Sequence, residues 1–178
     1  MSIQDSIREL VIPRIETLVK SSVVLGDTRG RAILTALSIP ITTDPSHVVF
    51  TMKFRCSYVD EWVTELTKLR NDINKYPFLF VNARGIIYEG QVVTIPEMVV
   101  ATRTSKEWKA EQRDDYTQNP ILWNLTSYLE DTLECFFGTD GEFHLRTERV
   151  YNSKLDGTVG EFIDAVIIKQ TKLRILNC

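Results

Sequence analysis

Tyr76-Pro-Phe-Leu-Phe-Val-Asn-Ala-Arg-Gly85-Ile-Ile-Tyr-Glu-Gly90-Gln-Val-Val-Thr-Ile-Pro96-Glu-Met-Val-Val-Ala-Thr102 is the stretch that decides how this chain folds. It reads as three strands in succession. Phe78 to Val81 is short and wholly apolar, which is the pattern of a strand covered on both faces. Asn82-Ala-Arg-Gly85 turns the chain into Ile86 to Glu89, and Gly90 leads into Gln91 to Thr102. Pro96 has no N–H for a ladder, so this last strand is expected at a sheet edge or with a bulge.

Upstream, Ser57-Tyr-Val-Asp60 has the form of a capping box. Val59, Trp62, Val63, Leu66, Leu69 and Ile73 follow as one apolar stripe, with Glu61, Glu65, Lys68 and Asp72 opposite. Pro77 disfavours helical geometry in Tyr76 and ends this helix. Earlier still, 32–41 and 47–54 read as an antiparallel strand pair split by the turn residues 42–46, and Gly26 to Gly30 reads as a loop. Residues 3–19 place Ile3, Ile7, Leu10, Val11, Ile15, Leu18 and Val19 at helical intervals, with Pro13 set to kink or restart the helix.

Downstream, 103–119 is polar and reads as a long surface excursion with one helical turn. Asn119-Pro120 is an N-cap with proline at the first helical position. Ile121, Leu122, Leu125, Leu129, Leu133 and Phe136 make the buried face of that helix, and Gly138 stops it. Phe143 to Tyr151 and Val166 to Leu176 read as two more strands, joined by a polar loop holding Gly157 and Gly160. The expectation is one α+β domain over 1–178, with a mixed, mostly antiparallel sheet flanked by two or three helices.

A chain of 178 residues with 43% hydrophobic and 25% charged content can bury a sizeable core without staples. A net charge of -3 argues against a protein built to grip phosphate backbones. Cys56, Cys135 and Cys178 are widely spaced and odd in number, so neither a disulfide framework nor zinc is expected, and a reducing compartment fits best. The opening residues mix charged and apolar types, unlike a signal peptide, and no apolar run approaches the ~18 residues of a membrane span. No membrane partner is expected.

Candidate chemistry is sparse. His47 and His144 are the two histidines, each in an expected strand and each better read as a surface or half-buried side chain than as a general base. The adjacent acids Asp60-Glu61, Asp114-Asp115 and Glu130-Asp131 point in different directions on a helix, which does not suit paired-carboxylate catalysis. The glycines form no phosphate-binding loop. Asn124-Leu-Thr126 is formally a glycosylation sequon, but it lies on an expected helix. Catalytic residues, cofactors and metals are therefore expected to be absent, and the chain is expected not to be an enzyme.

Two features carry more. Arg103, Trp108, Arg113 and Tyr116 in the polar excursion have the composition of an interface hot spot, against the alternative that the aromatics fold back onto the sheet. Glu130, Asp131 and Glu134 share the outer face of the third helix, for which solvation is the ordinary explanation and repulsion of passing DNA the sharper one.

Tyr76-Pro-Phe-Leu-Phe-Val81, Val99 to Arg113, Asn119-Pro-Ile-Leu122, Gly160 to Lys169, Leu173-Arg-Ile175 and Leu10 to Glu16 together resemble neck and tail-terminator-type proteins of tailed bacteriophages. The nearest resemblance is to members from phages of Bacteroidetes hosts, including the crAss-like group. It implies a structural virion protein, assembled in the host cytoplasm, in a ring of roughly six or twelve copies at the head–tail junction or tail top. Such a ring joins portal, adaptor or tail proteins and passes DNA without binding it specifically. On that reading Glu130, Asp131 and Glu134 are candidate channel-facing residues, and the Pro96 strand is a second contact surface. The alternative is a cytoplasmic small-molecule-binding protein or enzyme of unknown substrate, which would need a pocket with converging polar groups.

Overall fold

A computed structural model of the chain describes residues 2–17, 20–23, 27–37, 49–52, 54–60, 76–137, 144–153 and 163–175. Helix α1 covers residues 3–17. Ser2 caps it: its Oγ accepts from the Asp5 amide at 3.1 Å, and the Asp5 carboxylate accepts from the Ser2 amide at 3.3 Å. Ile3, Ile7, Val11 and Ile15 are all buried, at steps of four. In a regular α-helix four residues overshoot a turn by about 40°, so such a stripe would drift away from the core. The segment Ile7–Val11 is π-helical, and its wider turn winds the stripe back. Pro13 is carried just beyond it, within Ile12–Thr17.

Strand β1 (Lys20–Val23) and helix α2 (Asp27–Ala36) follow. α2 takes the place of the expected loop from Asp27 to Gly30 and of the first part of the strand expected over 32–41, while Gly26 lies outside the described residues. Ala32, Ile33, Leu34, Ala36 and Leu37 are buried, and so short an apolar run has no period that separates helix from strand. β2 (Val49–Met52) lies where a strand was expected, but it pairs antiparallel with β1.

β3 (Cys56–Asp60) stands where a capping box and first helical turn were expected, and it runs parallel to β4 (Phe78–Asn82), with Cys56 opposite Phe78. Parallel neighbours need a crossover of a dozen residues or more, and the chain between Asp60 and Phe78 is long enough for one. The apolar stripe Trp62, Val63, Leu66, Leu69 and Ile73 lies outside the described residues. So do His47, Gly138, Gly157 and Gly160.

The main sheet has the order β3–β4–β6–β8–β7, where β6 is Val92–Arg103, β7 is Arg146–Ser153 and β8 is Ile163–Arg174. Every pairing except β3–β4 is antiparallel. Phe78, Leu79, Phe80 and Val81 are buried in β4, as a central strand requires. The fold is therefore α+β, with a mixed, mostly antiparallel sheet.

Pro96 does not mark an edge, because β6 lies between β4 and β8. β4 pairs with Glu97–Ala101 and β5 (Ile87–Glu89) pairs with Val92–Thr94 on the same side. Pro96 thus falls in the gap between them, where no donor is needed. On its other side it stands across from Gln170, which has a φ of 53°. Val93 and Ile95 join the same core as Met98 and Val100, and Leu173 joins Val166 and Ile168. The inward face therefore changes from odd to even positions in β6, and from even to odd in β8, along one crease. Beyond it, β5 and the outer parts of β6 and β8 form an arm. A two-residue hairpin, Gly90–Gln91, closes the arm, with the glycine at φ 64° in the first position as a type II′ turn requires.

After β6 the chain enters helix α3, residues 110–136. Asp114–Trp123 within it is π-helical and contains Pro120, so Asn119-Pro120 is not a helix start. The widened turn relieves the clash a proline ring makes with the carbonyl four residues back. Arg113, Thr117, Ile121, Leu125, Leu129 and Leu133 are buried at steps of four, the same spacing as in α1. All three helices contribute to one core cluster, and the opposite sheet face carries a second with Tyr76, Phe78, Phe80, Val99, Ala101, Ile163 and Ala165.

Candidate functional site

The segment 103–119 is mostly helix, and its side chains largely bind the subunit to itself. Trp108 is half-buried against the main core, its ring meeting Tyr116 edge-on at a centroid distance of 5.1 Å. Arg103 is half-buried at the end of β6. Arg113 is 6% exposed: its Nη2 donates to the Ser105 carbonyl at 3.0 Å, and its Nη1 lies 3.7 Å from Asp164 Oδ1. That corrects the placement of Arg113 at a subunit surface. Asp164 is fully buried and accepts from Thr117 Oγ1 at 2.7 Å. Gln118 Nε2 donates to the carbonyls of Val150 and Ala165, both at 3.2 Å. At the surface Arg149 reaches Asp114 at 3.2 Å and Asn119 at 2.9 Å, and the Tyr151 hydroxyl donates to Asp114. Burial first, and this bond second, pushes the Tyr151 hydroxyl above its ordinary value.

This polar seam fixes α3 to β7 and β8, and sequence reading missed its centre. The available signal was Asp164 itself, a carboxylate inside the apolar run Ile163 to Ile168, which demands a buried partner. Nothing in the pattern singled out Arg113, Thr117 or Gln118 as inward-facing, because their four-residue spacing suits a helix with widened turns.

The three acids of α3 do not act together. Glu130 is half-buried: one carboxylate oxygen accepts from the Leu145 amide at 2.9 Å, and the other lies 3.6 Å from Nδ1 of the exposed His144. It anchors the chain entering β7. Asp131 and Glu134 are exposed. Among the described residues no group of three His, Cys, Asp or Glu is placed to hold a metal, and no helix is long and apolar enough to cross a membrane.

Among the described residues the exposed large hydrophobic side chains are Leu10, Ile87, Tyr88 and Trp123, at 42%, 50%, 53% and 50%. Ile87 and Tyr88 stand on the arm. Leu10 and Trp123 belong to α1 and α3, which pack on each other. Between those helices lies a cleft of about 270 Å³ lined by Arg14, Tyr128, Asp131, Thr132, Cys135 and Phe136. Cys135 is a free, exposed thiol, and burial pushes the Tyr128 hydroxyl above its ordinary value. Compared with protein-family models, with curated proteins and with solved structures, the chain matches none of them.

Proposed function

We propose that this chain is a structural subunit of a tailed-phage neck or tail. It forms or joins a ring at the head–tail junction or tail top, links portal or adaptor to tail, and leaves a channel for DNA. The observation that carries the reading is that the exposed Ile87 side chain, on an edge strand, and the apolar-lined cleft between α1 and α3 are two different surfaces of one subunit. A two-fold dimer buries the same patch on both copies, whereas a ring needs two different patches on every subunit. A net charge of -3 suits a wall past which DNA must slide without adhering.

The partners are further copies of the chain and neighbouring portal, adaptor or tail proteins, with assembly in the host cytoplasm and a final place in the virion. Size-exclusion chromatography with light scattering, alone and after mixing with portal and adaptor proteins, tests this. A discrete oligomer of roughly six or twelve copies, ring-shaped in negative stain, is expected. A persistent monomer that binds none of these proteins overturns the reading.

A further inference from the structure

We propose that the β5–β6 arm of one subunit seats in the α1–α3 cleft of the next copy, an inference that rests on the ring reading for its head-to-tail direction. The arm packs one face on the main core through Val93, Ile95 and Leu173, and its tip and outer edge are open. Its tip residues Glu89, Gly90 and Gln91 are exposed, and among the described residues β5 has a strand neighbour on one side only. Ile87 and Tyr88 are consecutive in a strand and so point to opposite faces.

Register places the rest of the contact. Ile87 pairs with Thr94, which pairs with Lys172, and Glu89 pairs with Val92. Ile87, Glu89, Lys172 and, across Val92, Arg174 therefore share one face of the arm: an exposed isoleucine and an exposed acid, with the exposed Lys172 and the half-buried Arg174 two strands across. Among the described residues neither Glu89 nor Lys172 has a charge partner within its own subunit.

The cleft has the converse arrangement. Tyr128, Thr132 and Phe136 give it an apolar lining, while Arg14 on α1 and Asp131 on α3 are exposed at it, again without a charge partner among the described residues. Ile87 enters the cleft, Glu89 meets Arg14 and Lys172 meets Asp131. At about 270 Å³ the cleft lies just under the ~300–1,000 Å³ of small-molecule pockets, and it suits a side chain with its strand edge better than a metabolite.

Cys135 in the cleft supplies a direct test. A tagged chain carrying Ile87→Cys and Cys135→Ser is mixed with an untagged chain that keeps Cys135, and mild oxidation is applied. A disulfide-linked pair is expected, and none when Cys135→Ser is present in both chains. In parallel, Glu89→Arg and Arg14→Glu should each weaken self-association about tenfold, and the double exchange should restore it. All four variants lie at exposed positions, so circular dichroism should match that of the parent chain. An oligomer that forms without the cross-link and ignores the charge exchange overturns the arm-in-cleft contact alone. A chain that stays monomeric at every concentration, alone and with portal and adaptor proteins, overturns this contact and the ring reading together.

Discussion

A fully buried carboxylate on a strand of Ile, Ala and Val needs a partner to offset its desolvation, and Arg113 and Thr117 provide it for Asp164. Asp164→Leu leaves the Arg113 guanidinium buried without its counter-charge. It should lower the stability measured by urea unfolding by about 3–5 kcal/mol. Adding Arg113→Met should recover most of that loss, since apolar replacements of both partners avoid the uncompensated charge. A neutral single variant would mean that the pair holds nothing. Tyr128 and Tyr151 set a second expectation. Both hydroxyls titrate higher in the folded chain than their ordinary 10.0, so the folded state keeps protons that the unfolded state releases. Their contribution is complete below pH 10 and fades as pH rises through the folded values. Thermal midpoints should therefore fall above pH 10, and should fall less in a Tyr128→Phe, Tyr151→Phe double variant.

At the scale of elements, the two long helices share one device. Ile3, Ile7, Val11 and Ile15 in α1, and Arg113 to Leu133 in α3, are buried at steps of four, and each helix contains a π-helical segment that keeps the stripe aimed at the sheet. Proline inside a regular α-helix costs about 3 kcal/mol. Because Pro120 sits in a widened turn, Pro120→Ala should raise stability by less than about 1 kcal/mol in denaturant titrations. A gain near the full amount would mean that the turn does not relieve the ring. The same device explains what was legible. The stripes in α1 and in Ile121 to Leu133 were readable because three or four apolar residues in sequence reveal a face whichever way the turn is wound. The helix start was misplaced at Asn119-Pro120, because proline at a first turn is the common case and a π-helical accommodation leaves no mark in composition. β4 was read correctly, since a wholly apolar four-residue run has few other places in a sheet. α2 and β3 were missed for the opposite reason: each is too short for its period to show, and Ser57 with Asp60 imitates a cap.

At the scale of the whole molecule, the residues that looked most like an interface make their contacts within the subunit, and two of the four exposed large hydrophobic side chains among the described residues stand on the arm. Trp108, Arg113 and Tyr116 carry interface chemistry, but α3 lies on β8 and the three make contacts within the chain. Ile87 and Tyr88 drew no attention as surface because they sit in a strand whose apolar residues would ordinarily pack inward. They are exposed because β5 is an edge strand, paired among the described residues with β6 alone. This architecture makes a prediction about salt. In the proposed contact Glu89–Arg14 and Lys172–Asp131 lie at a solvated rim around an apolar centre. Rim charges guide encounter and are screened over about 10 Å at 0.1 M ionic strength, whereas apolar burial is not screened. Raising ionic strength from about 0.05 to 1 M should slow association in a stopped-flow light-scattering measurement while leaving the dissociation rate nearly unchanged. Ile87→Ala should do the reverse, speeding dissociation with little effect on association, since it removes buried area at the centre. If salt accelerated dissociation as strongly as the alanine change does, charge would be holding the subunits together, and the projecting isoleucine would not be the anchor.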